Sequence, residues 1–108
     1  MIDYQFLPKD LKQYLEPNYN WKIASGENEL TAKNQTNNLR LILNSIVRFN
    51  YADFKKFIQI KQDLGEPLLY LNSRILEARQ FALFLKQQEF AVDARLLTFP
   101  TFKSEFTH

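Results

Sequence analysis

The chain has 108 residues and a mass of 12.9 kDa, one domain's worth of polypeptide with no length for a second independent core. Hydrophobic residues make up 45% and aromatics 15%, more core material than a disordered chain carries, while the net charge of +2 falls short of a DNA-coating protein's strongly basic profile. Cysteine is absent and the one histidine is the last residue, His108. Those two facts exclude disulfides, thiol catalysis and Cys-ligated metals, and leave no candidate for a positioned imidazole. No apolar run approaches the roughly 18–20 residues of a membrane span, and Asp3 stands where a signal peptide carries base, so a cytoplasmic location is expected.

In chain order, Pro8 to Leu15 reads as a short N-terminal helix with Pro8 in its first turn, its apolar face Leu11, Tyr14 and Leu15, and Pro17 as its stop. Trp21-Lys22-Ile23-Ala24 alternates like a strand, and Ser25-Gly26-Glu27-Asn28 is a turn signal. Residues 21–32 are therefore expected to form either a minor β-hairpin or a loop pinned to the core by Trp21. With only two glycines in the chain, a multi-hairpin β fold is disfavoured and helices are favoured.

From residue 35 the helical period is clear. Leu39, Ile42, Leu43, Ile46 and Val47 share one helix face, which predicts a helix over 35–49 capped by Asn34 or Thr36. A second helix is predicted over 52–64, burying Phe54, Phe57, Ile58 and Leu64, with Asp53 at its positive end. Leu64-Gly65-Glu66-Pro67 separates it from a third, over 67–88. Along that third helix Leu68, Leu71, Ile75, Ala78, Ala82 and Leu85 alternate steps of three and four, and Leu69, Leu76 and Leu83 form a second stripe beside them. Two apolar stripes on one helix invite a homodimer. Residues 91–108 are an aromatic C-terminal extension with a short helical stretch at 93–97. The expectation is an all-α bundle of three main helices in a single domain, 1–108, with 1–34 as its N-terminal subregion.

The chemistry-bearing residues are scattered. Acids occur singly, no metal-ligand spacing is present, and no glycine-rich phosphate loop occurs, so no enzyme activity, cofactor or metal is expected. Binding remains. The leading reading is a cytosolic protein that binds another protein, of the kind that includes inhibitors, immunity proteins and complex subunits. Its expected contacts are Phe99, Phe102 and Phe106 of the extension with Arg74 and Arg79 of the third helix, because aromatic and Arg side chains anchor interfaces. The tail is expected either to dock on that partner or to fold back over Tyr70, Phe81 and Phe84. The alternative is DNA binding by a helix-turn-helix-like unit over Leu64–Arg79. Arg40, Asn44, Arg48, Lys55, Lys56 and Arg74 would then meet the nucleic acid.

Overall fold

A computed structural model describes residues 7–103, and among these the structure is helical with no strand. Helix α1 (Pro8–Leu11) runs through a 3-10 turn (Lys12–Tyr14) into α2 (Leu15–Ala24). Then follow α3 (Glu29–Ser45), α4 (Tyr51–Asp63), α5 (Leu68–Gln87) and the short α6 (Ala94–Leu97). The all-α class holds, but the element count differs from three main helices, because α2 is a further helix packed against both α3 and α5.

The expected hairpin or loop over 21–32 is the main correction. Trp21–Ala24 ends α2, and 29–32 begins α3. The turn residues do form a turn, but it joins two helices rather than two strands. Gly26 has φ +95° and closes α2: the Glu27 amide donates to the Lys22 carbonyl at 3.0 Å and the Gly26 amide to Ile23 at 3.0 Å. Asn28 then caps α3 by accepting from the amides of Leu30 (2.9 Å) and Thr31 (3.3 Å). A Gly-x-Asn corner serves a helix pair as well as it serves a hairpin. The helical period of α2 was hidden because its inward positions, Asn18 and Lys22, are polar and yet 0% and 3% exposed. Pro17 does not stop a helix either; it sits in the first turn of α2, where its missing N–H costs no intrahelical bond.

Helix α3 accordingly runs 29–45 rather than 35–49. Thr36, expected as a cap, lies mid-helix with its hydroxyl donating to the Ala32 carbonyl at 2.8 Å. At Ile46 the chain turns extended, leaving Val47 72% exposed and sending Phe49 inward. Asn50 caps α4 by accepting from the Asp53 amide at 2.8 Å. Phe54, Phe57 and Ile58 are buried as expected, but Leu64 is 75% exposed, because the chain has already turned at Gly65 (φ +83°).

Helix α5 is the central element. Leu71, Ile75, Ala78, Ala82 and Leu85 are all 2% exposed or less. Around them Phe81 meets Phe49 edge-on at 5.4 Å, and Phe84 meets Trp21 of α2 at 5.7 Å. The helix closes with the same paired bonds that end α2 and α4, Glu89 to Lys86 (2.9 Å) and Phe90 to Leu85 (3.0 Å). Here the left-handed position is Glu89, at φ 68°, instead of glycine. A side chain in that conformation costs about 1–2 kcal/mol, partly offset by the extra freedom glycine would have when unfolded. Glu89→Gly is therefore expected to raise stability by about 0.5–1 kcal/mol, read as a higher denaturation midpoint at unchanged slope.

The C-terminal extension is a strap. Asp93 caps α6 and reaches across to accept the Tyr51 amide at 2.8 Å, fixing the extension to the start of α4. Burial works to raise the Asp93 pKa, but the Arg95 side chain with the Tyr51 and Arg95 amides outweighs it and holds the carboxyl below its ordinary value. Leu96 is fully buried, and Phe99 inserts between Tyr51 (5.3 Å) and Phe54 (5.1 Å). Asn72 of α5 then grips the backbone of Phe102 at both ends, accepting its amide at 2.7 Å and donating to its carbonyl at 2.9 Å. The strap thus folds over α4 and the Asn72 edge of α5, not over Tyr70, Phe81 and Phe84 as expected. Tyr70 is 58% exposed, and Phe81 and Phe84 are enclosed by Phe49 and Trp21.

Candidate functional site

A cluster of buried polar side chains joins α2 to α5. Lys22 of α2 places its Nζ 3.1 Å from Glu77 Oε1 of α5, both side chains 2% exposed, and also donates to Gln80 Oε1. Desolvation pushes the Glu77 carboxyl up to about 7 against the opposing pull of the Lys22 charge and hydrogen bond. Glu77 Oε2 has no hydrogen-bond partner, and neither polar atom of the Asn18 side chain, one turn before Lys22, has one. The raised value is of the kind general acids show. The Glu77 side chain is only 2% exposed, and its ion pair with Lys22 ties α2 to α5. Among the described residues there is no group of three or more His, Asp or Glu side chains placed to hold a metal. No helix among them is long and apolar enough to cross a membrane.

Of the residues expected to meet a protein partner, Phe99 is 6% exposed and belongs to the core. Phe102 is half-buried and clasped by Asn72, and Phe106 lies outside the described residues. Arg74 is engaged within the chain, its Nε 2.6 Å from Glu66 and its Nη1 2.6 Å from Asn38 on α3. Arg79 lines a groove beside α5, while Phe99 and Phe102 border a separate one against α4. The residues expected to meet DNA are spread over several faces. Arg40, exposed on α3, donates to Asn37 at 2.7 Å; Asn44 is exposed one turn on; and the Arg48 amide donates to Asp53 at 2.8 Å. Lys55 lies 5.8 Å over the Tyr51 ring beside the strap. Lys56 lines a different groove with Val47, Ile60 and Lys61. At the start of α5, where a reading helix would project polar side chains, Asn72 and Arg74 are both committed inside the chain, and Leu69 and Tyr70 project instead.

The outer face of α5 brings more together than any single set named from sequence. Leu69, Leu76 and Leu83, one every seven residues, are 77%, 47% and 41% exposed. A groove of about 390 Å³ opens along the C-terminal half of this stripe, lined by Leu76, Arg79, Gln80, Leu83 and, from α6, Leu97. A second groove of about 320 Å³ on the other side shares Gln80 and Leu83 and reaches Trp21, Lys22, Ser25 and Glu27 at the end of α2. The leucine stripe is visible in the sequence as spare apolar surface. The groove is not, because its far wall is a helix of four residues whose position depends on the Asp93 cap and the strap. No protein-family model, curated protein or solved structure matches this chain.

Proposed function

We propose that this chain is a non-enzymatic protein-binding domain whose contact surface is the outer face of α5. The observation that supports this most directly is the exposed leucine stripe at 69, 76 and 83 with the Leu97-walled groove beside it. Isolated exposed leucines are ordinary, but an aligned row bordering an apolar groove holds hydrophobic surface in water unless something covers it. Arg79 at the groove wall supplies the kind of residue that anchors interfaces. The mutual pairing of Lys22 and Glu77 at 2% exposure and the engagement of Asn72 and Arg74 within the chain support this surface over a catalytic or base-reading one. Small inhibitors, immunity proteins and complex subunits all act in this way.

The reading is tested by position. A photo-crosslinking amino acid at Leu83 is expected to give a discrete protein adduct, whereas the same group at Lys33, 63% exposed on α3, gives none. Equal labelling from both positions, or from neither, overturns it. A salt titration with duplex DNA is expected to show no steep, salt-sensitive binding. Tight binding that collapses between low and moderate salt would instead favour the basic residues Arg40, Arg48, Lys55 and Lys56 as the working surface.

A further inference from the structure

The same α5 face has the symmetry of a surface that binds itself, and on the reading just proposed we infer that its occupant is a second copy of this chain, with the two α5 helices antiparallel about Leu76. Leu69 and Leu83 lie seven residues to either side of Leu76, about 10.5 Å each way along the helix. A two-fold axis through Leu76 therefore sets Leu76 on Leu76 and each Leu69 on the other copy's Leu83. The shape of the face agrees. Leu69, 77% exposed, is its most prominent apolar side chain and does not line the groove; the groove lies at the other end, around Leu83 and Leu97. The two-fold places that knob against that hole twice, which is the isologous arrangement a closed dimer requires.

Charge selects the same orientation. In the antiparallel register Arg79 of one copy comes opposite the uncharged Ser73 of the other, so the guanidinium meets no like charge. A parallel pairing instead stacks Arg79 on Arg79 and Lys86 on Lys86. Sliding the antiparallel pair by one heptad leaves an outer leucine on each copy without its counterpart. Helix axes 8–10 Å apart, less a backbone radius of about 2.3 Å on each side, bring facing Cα atoms to about 3.4–5.4 Å, whose upper part lies within disulfide reach.

Because the chain contains no cysteine, single cysteines report the register directly. Under mild oxidation of the purified protein, Leu76→Cys is expected to convert mostly to a disulfide-linked dimer. Leu69→Cys and Leu83→Cys are each expected to stay largely monomeric alone, since in the antiparallel pair each sits about 21 Å from its own copy. Mixing those two variants should give a crosslinked heterodimer. The unmodified chain is expected to sediment at twice 12.9 kDa, and Leu76→Glu, an exposed position, to sediment as a monomer with the parent's helical circular dichroism and a thermal midpoint that no longer depends on protein concentration. A Leu76→Cys protein that stays monomeric, or Leu69→Cys crosslinking as readily by itself, overturns the inference. Position-specific adducts to a different protein at Leu83 would then leave the binding surface standing with another occupant. Failure of both experiments removes the surface as well.

Discussion

Replacing Glu77 by Leu is expected to cost about 3–5 kcal/mol at pH 7, because it strands the Lys22 ammonium in a site that is 2% exposed. Lys22→Met removes the charge that opposes the desolvation of Glu77, so the carboxyl takes up a proton at pH 7 and the expected cost is smaller. The double variant Lys22→Met/Glu77→Leu should recover most of the loss and finish near the parent stability, since apolar packing often replaces a buried ion pair without penalty. The double-mutant cycle isolates the coupling between the two groups, and two single losses that simply add would show that they do not interact. The pair also gives stability a slope with pH. Glu77 titrates near 4.5 when unfolded and is raised to about 7 in the fold, so between those values the folded chain holds a proton that the unfolded chain has lost. Stability from this group is therefore fully present below about 4.5 and is lost as pH rises through about 7, by up to about 3 kcal/mol. Glu77→Gln is expected to flatten that slope in urea titrations at pH 5 and pH 8.

This buried polar layer also explains which part of the fold could be read from residue order. Helices α4 and α5 are legible to within a residue at each end, because Phe54, Phe57 and Ile58 and the row from Leu71 to Leu85 put apolar side chains at helical spacing. Glycine marks the turn between them at the one position where the backbone goes left-handed. Helix α2 is not legible, since its inward face is Asn18 and Lys22, and the acceptors that make Lys22 tolerable inside come from Glu77 and Gln80, more than fifty residues later. Polar residues in a helix's core positions cancel the periodic signal that would identify it. The candidate surface divides in the same way. The leucine stripe follows from the width of the apolar arc on α5, whereas its groove depends on where a four-residue helix comes to rest, which no local pattern encodes.

Phe99→Ala is expected to lower stability by about 3–5 kcal/mol, the usual cost of removing a buried aromatic ring. The ring fills the space between Tyr51 and Phe54, with centroids 5.3 Å and 5.1 Å away, so its loss leaves a cavity at the junction of α4 and the strap. The same experiment separates two roles for the aromatic extension. If these rings were partner contacts, Phe99→Ala would abolish association at the α5 face while leaving the melting temperature almost unchanged. Burial inside the fold predicts the reverse: a fall in melting temperature of several degrees, with association of the remaining folded molecules nearly intact. Phe102→Ala should be milder, about 1–2 kcal/mol, because that ring is only half-buried and its anchorage is the backbone clasp with Asn72, which the substitution preserves. Asn72→Ala removes the clasp without touching either ring. It leaves the Phe102 amide and carbonyl without their partner and loosens the strap below α6. Because Leu97 is the α6 wall of the α5 groove, this variant should weaken dimer crosslinking at Leu76→Cys more than its small loss of stability would account for. If crosslinking instead tracks stability alone across Phe99→Ala, Phe102→Ala and Asn72→Ala, the strap supports the core and plays no part in shaping the groove.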